Sequence, residues 1–241
     1  VNAVSAVVVG ANGGIGAALL RELVRRNAFS HIFGVARQAF SADGVDSVVV
    51  DGYHDKALAA AAKEISARGE TTLCLCATGL LSGGRSGRLK PEKSYKQQTV
   101  EAFEETFFVN TIVPALVAKH FLPIMPRQQR AVFAALSARV GSISDNGLGG
   151  WHAYRASKTA LNMLIKNYAI EQAFSAKQFI AVGLHPGTVD TSLSKPFQKG
   201  VPADKLFDAD RSAGYLLDVV DGLTPKDSGM VFDWAGKKVP A

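Results

Sequence analysis

The feature that most restricts the fold lies near the start of the chain. An apolar stretch, Val4–Val9, runs into Gly10-Ala11-Asn12-Gly13-Gly14-Ile15-Gly16, after which Ile15, Leu19, Leu20, Leu23 and Val24 recur at helical spacing. This reads as strand, glycine turn and helix. Glycines so placed let backbone approach another group closely, and they aim it at a helix N-terminus whose free N–H groups carry partial positive charge. The spacing is Gly-x-x-x-Gly-x-Gly, on Gly10, Gly14 and Gly16. It departs from Gly-x-Gly-x-x-Gly, whose last position counted from Gly14 falls on Leu19. A tight turn that packs a helix onto a strand explains the glycines alone; their place after the first strand favours an anion cradle for a nucleotide.

Beyond the turn the alternation continues. Short β-rich stretches at 32–36, 48–50, 73–76, 131–136, 179–184 and 230–234 are separated by helical patterns at 55–68, 100–125, 153–174 and 211–220. Parallel strands need crossovers, and helical crossovers cover both faces of the sheet. The pattern predicts one doubly wound Rossmann-type α/β domain over 1–241, with a mainly parallel sheet of seven strands. Pro114 predicts a bend in the helix at 100–125. The polar segments at 82–96 and 188–210 are the substrate-loop candidates.

Composition narrows the class. With 47% hydrophobic and 20% charged residues the chain is neither disordered nor fibrous. Its net charge of +6 comes from dispersed Lys and Arg without a basic run, which argues against nucleic acid. No uninterrupted apolar run has membrane-spanning length and no leader pattern opens the chain, so no membrane association and a cytoplasmic location are expected. Cys74 and Cys76 cannot complete a four-ligand metal site and are expected reduced and buried. His31, His54, His120, His152 and His185 are too scattered for a metal site, so none is expected.

In sheets of this kind ligands bind beyond the carboxyl ends of the strands, and the end of the second strand selects the cofactor. Arg37 stands there, in Gly34-Val35-Ala36-Arg37. A planar guanidinium pairs with a 2′-phosphate where a carboxylate would repel it, so NADP(H) is preferred, with NAD(H) as the alternative. Further on, Tyr154 and Lys158 are four apart in a helical pattern and share one face. A phenol with a pKa of about 10 needs a neighbouring cation before it can serve as a base near neutral pH.

Together the glycine turn, Tyr154-x-x-x-Lys158 and Pro186-Gly187 after the sixth strand resemble the short-chain dehydrogenase/reductase family over nearly the whole chain. The resemblance implies a catalytic set of Ser137, Tyr154, Lys158 and Asn110: Ser137 polarises a substrate carbonyl, Tyr154 moves the proton, Lys158 holds the nicotinamide ribose and lowers the Tyr154 pKa, and Asn110 supports a water relay to Lys158. It implies cofactor contacts from Gly10, Asn12, Gly14, Ile15, Gly16, Arg37, Asp51, Ala77, Gly79, Tyr154, Lys158, Pro186, Gly187, Val189 and Thr191, with Asp51 at the adenine. Two departures stand out. The interval from Ser137 to Tyr154 is a few residues longer than in common members and contains Ser142, the reserve candidate for the serine. Cys76 replaces the Asn of the usual Asn-Asn-Ala-Gly.

The segments at 136–143, 154–162 and 185–191 resemble a narrower branch of C-factor-like proteins and monomeric-type carbonyl reductases. The expectation is therefore an NADP(H)-dependent oxidoreductase acting on a carbonyl or secondary alcohol of a small molecule. The rival is a non-catalytic NADP-binding sensor of the same fold. A homodimer or homotetramer is the association the family implies.

Overall fold

The structure, a computed structural model, describes residues 3–241. It opens with β1 (Val4–Val9), α1 (Gly14–Arg26), β2 (His31–Ala36), β3 (Asp46–Val49), α2 (Asp55–Ser66) and β4 (Glu70–Cys76). Then come α3 (Val100–Phe107), α4 (Val113–Phe121), β5 (Ala131–Leu136), α5 (His152–Ala173) and β6 (Phe179–His185). The short strands β7 (Thr188–Val189) and β8 (Leu206–Phe207), α6 (Ala209–Gly222) and β9 (Met230–Asp233) follow. Seven strands form one sheet in the order β3-β2-β1-β4-β5-β6-β9, with every pairing parallel.

Parallel strands covered on both faces need apolar side chains pointing both ways. β1 meets this with Val7 and Val9 on one face and Ala6 and Val8 on the other, all fully buried. The first face packs Phe33, Phe133 and Cys74 against Leu58 of α2, Phe121 of α4 and Leu161 and Ile165 of α5. The second packs Ile180 and Val182 against Leu19, Leu20 and Leu23 of α1 and Leu216 and Leu217 of α6. Full burial of each such side chain contributes about 1.5–3 kcal/mol.

The helix predicted at 100–125 is broken one turn earlier than Pro114. Residues Phe108–Ile112 form a π-helical turn, and Pro114 sits in the first turn of α4. Proline has no N–H for the carbonyl four residues before it, which here is Asn110, so the irregularity falls on that turn. By length and composition Val100–Ile124 is apolar enough to cross a membrane. Here it buries Val113, Val117, Ala118 and Phe121 in the core of the protein.

The segment between β6 and α6 is less irregular than its sequence suggests. Its ends are tied by the parallel pair β7–β8, with Thr188 opposite Leu206 and Val189 opposite Phe207.

Candidate active site

The strand order reverses between β1 and β4, so their carboxyl ends diverge and leave a crevice. The glycine turn after β1 forms its floor. Gly10 has φ +92° and a Cβ there would lie 3.1 Å from the Ala77 carbonyl carbon; a Cβ on Gly16 would lie 2.1 Å from the Gly10 oxygen. Only glycine fits either place. Gly13 caps α1 without a side-chain bond, and no acidic residue occupies the first turn. The free N–H groups at this helix end are thus left for an anion.

Over this turn opens a cleft of about 760 Å³ whose lining includes Asn12, Arg37, Asp51, Tyr53, Thr78 and Val109. Asn12 donates to the Gln38 carbonyl at 3.0 Å, so its side chain fixes the end of β2. Arg37 is exposed and stands 5.6 Å from the centre of the Tyr53 ring. Burial pushes the Tyr53 phenol up to about 12. Asp51 also faces solvent. Because His54 Nδ1 accepts the Ala57 N–H, the Nε2 proton must donate to Asp51, at 2.9 Å. Ala77 is pinned by its N–H to the Val9 carbonyl at 2.7 Å. Beneath it Cys76 occupies the place of the expected Asn, fully buried, its Sγ 3.4 Å from the Thr78 hydroxyl.

The loop after β6 closes over the same turn. Pro186 accepts a hydrogen bond from Ser212, and Val189 is buried. Thr191 touches Gly14, where a Cβ would meet its methyl at 2.6 Å, and Leu193 lies 3.5 Å from a Cβ built on Gly79. Ile15 is partly buried within the turn. Gly187, with φ +79°, accommodates the Phe207 ring at its back.

Tyr154 and Lys158 lie in the first two turns of α5. Lys158 is 2% exposed, its Nζ donates to the Leu136 carbonyl at 2.7 Å, and it stands 5.9 Å from the centre of the Tyr154 ring. Burial lowers the Lys158 ammonium to about 8, leaving it charged at neutral pH. The same effect drives the half-buried Tyr154 phenol up to about 12. The expected lowering by Lys158 is thus absent in this arrangement, because the ammonium is turned toward the strand. The Tyr154 phenol is thus protonated at neutral pH.

Asn110, Ser137 and Ser142 are each held by hydrogen bonds. Asn110 is fully buried, and its amide exchanges bonds with both the N–H and the carbonyl of Leu80 at 2.8 Å while donating to the Ser157 hydroxyl at 3.1 Å. Ser157 in turn donates to the Tyr154 carbonyl at 2.8 Å. The side chain braces the β4 loop against α5. Ser137 is 3% exposed and donates at 2.6 Å to Asn162, two helical turns beyond Tyr154. Ser137 directly follows β5, and this bond ties it to the body of α5. Ser142, the reserve candidate, is also engaged, donating to the Ala241 carbonyl and accepting the Asp145 N–H.

Tyr53, Thr78, Asn162, Trp151 and Phe197 join the site without having been legible in the sequence. Trp151 packs 6.2 Å from Tyr154 and 5.2 Å from Phe197, which brings the loop after β7 to the start of α5. The Asp-Gly-Tyr turn after β3 was the available signal for Tyr53; the other contacts arise from packing.

His185 ends β6 beside this site, opposite Asp233 of β9. Burial, reinforced by the Arg139 cation and opposed by Asp233, holds its imidazole down to about 4, and its Nδ1 is buried without a partner among the described residues. The unfolded chain binds the proton first as pH falls from 6.5, so stability is present above that value and is lost down to about pH 4. The loss should reach up to about 3 kcal/mol. Thermal melts of wild type and His185→Gln across this window should show the steeper acid loss in wild type; equal slopes would remove His185 from the account.

The model of the short chain dehydrogenase family matches residues 4–201. The C-signal protein of Myxococcus xanthus is 36% identical over 135 residues, covering 56% of this chain and 76% of that protein. The NADPH-bound carbonyl reductase from chicken fatty liver superposes with a TM-score of 0.82 at 25% identity, covering 98% of this chain and 94% of that one. The carbonyl reductase Sniffer of Drosophila melanogaster gives 0.83 at 22% identity, covering 98% and 99%, and attests the fold.

Proposed function

Because the chain belongs to the short-chain dehydrogenase family, an oxidoreductase family, we propose that it is an NADP(H)-dependent reductase of small carbonyl compounds, or dehydrogenase of the matching secondary alcohols. The observation that carries the reading is the pair Tyr154 and Lys158 on one face of α5, in a chain whose glycine turn lines a cleft that presents Arg37. The NADPH bound to the chicken reductase supports the choice of cofactor.

The glycine turn fits a dinucleotide, since a Cβ on Gly16 would collide with backbone and the first turn of α1 holds no competing acid. Gly14, Ile15 and Gly16 would receive the pyrophosphate on backbone N–H groups, Arg37 the 2′-phosphate, and Asp51 with Tyr53 the adenosine. When bound, the nicotinamide supplies or accepts the hydride at the substrate carbon. The chain's own part is to orient and to move a proton. In reduction the Tyr154 phenol gives its proton to the substrate oxygen, and its high pKa keeps it protonated at neutral pH. Lys158 fixes a positive charge near it, 5.9 Å from the centre of its ring. Asn110 and Ser157 hold the height of the first turn. Ser137 ties the end of β5 to α5 further along, at Asn162.

Absence of NADPH oxidation across a panel of ketones, aldehydes and quinones would overturn this reading. A binding-only sensor is the second reading. It is favoured by the name of the C-signal relative and by the engagement of both candidate serines. Such a protein would retain NADPH and consume none.

Arg37→Ser tests the cofactor choice. With a charge-assisted fork lost, the NADPH Kd should rise about 10- to 100-fold while NADH binding stays within about twofold. Fluorescence titration reads both, and an unchanged NADPH Kd would return Arg37 to the solvent.

A further inference from the structure

Glu92 lies in the polar segment between β4 and α3, yet it is 3% exposed. Its Oε2 accepts the Ala153 N–H at 3.3 Å, and its main-chain carbonyl accepts the Trp151 N–H. Its second oxygen, Oε1, is buried without a donor among the described residues. One residue thus takes two donors from the start of α5, a helix whose N-cap, Trp151, makes no side-chain cap bond.

The local backbone is built around this contact. Gly149 and Gly150 have φ of +64° and +67°, and a Cβ on Gly150 would lie 3.3 Å from the Glu92 carbonyl oxygen. Trp151 itself is left-handed, with φ 51° and ψ 44°, a strained conformation for a bulky residue. So held, its indole abuts the Tyr154 ring edge to face. Arg155 closes the same turn from the other side, donating to Gly150 at 3.0 Å and Val140 at 3.2 Å. Stability alone does not account for Glu92. A Ser or Asp at the N-cap would satisfy the helix end without burying a half-paired carboxylate.

We infer that Glu92 is a positioning residue: by fixing the first turn of α5 and the Trp151 indole, it aims the Tyr154 phenol at the substrate oxygen. The inference rests on Tyr154 being the proton donor. In the full chain, Glu92→Ala should lower kcat by about tenfold or more, with KM and NADPH stoichiometry within about twofold, because small misplacements of a catalytic group are costly. Amide exchange at Ala153 and Tyr154 should quicken by about tenfold. Glu92→Gln keeps an acceptor for the Ala153 N–H and should recover most of kcat. If Glu92→Ala does not fold, Glu92→Asp, which draws the carboxylate back by one carbon, should show the same split. An unchanged kcat, or a fall only in proportion to lost NADPH-binding protein, overturns the assignment. A wild type that turns over no carbonyl compound overturns the role of Tyr154 instead. Exchange at 153–154, read without substrate, then still decides whether Glu92 anchors the turn, and unchanged exchange there sinks it.

Discussion

Tyr154→Phe should reduce carbonyl turnover by about a thousandfold while NADPH binds within about twofold of wild type. The substitution keeps the ring, and with it the edge contact to Trp151 and the packing over Lys158, but it removes the one proton that the first turn of α5 presents. The contrast between the two readouts is the test. Steady-state rates and a fluorescence titration on the same preparation give it directly. Retention of most of the activity would show that the proton comes from elsewhere, and with Ser137 and Ser142 both engaged neither is ready to replace it.

A second large effect is expected at Gly16. An Ala methyl there would stand 2.1 Å from the Gly10 oxygen and 3.0 Å from its carbon, contacts with backbone that no rotamer change relieves. Gly10 cannot retreat, because Ala77 and Thr78 lie 3.1 Å from its own Cβ position. Either α1 shifts or the turn opens. Gly16→Ala should therefore cost about 1–3 kcal/mol, lowering Tm by several degrees, and weaken NADPH binding by more than about tenfold. Gly147→Ala, with no atom within 4 Å of the added carbon, is the control and should leave both unchanged. Normal NADPH affinity in Gly16→Ala would mean that the turn is only a packing device.

The amino-acid sequence discloses whatever repeats or punctuates. The β-rich runs, the helical periodicity of α1 and the four-residue spacing of Tyr154 and Lys158 are local signals, and each falls on the element expected. The bend assigned to Pro114 lies one turn earlier, on Asn110, because a proline disturbs the carbonyl it fails to pair rather than its own position. The β7–β8 pair is invisible to such reading, since strands of two residues carry no periodicity. Ser137 illustrates the harder limit. Its place at the end of β5 is legible, but which way its hydroxyl turns depends on Asn162 arriving from α5, a tertiary event. Glu92 gives no local sign at all: among the charges of a polar loop, only the docking of that loop on α5 distinguishes it.

The all-parallel sheet has a consequence for how the chain reaches its folded state. β1 sits between β2 and β4, and its Val4 pairs with Glu70 only after β2, β3 and α2 have been laid down. No neighbouring strands can meet through a tight hairpin, so every ladder must first close a long stretch of chain. Such non-local pairing belongs to the slower folding topologies, in the millisecond-to-second range or beyond, because entropy is lost before contacts repay it. The crevice between β1 and β4 depends on one of these long closures, which pairs Val4 with Glu70. Cofactor-binding competence should accordingly be among the last properties a refolding chain acquires.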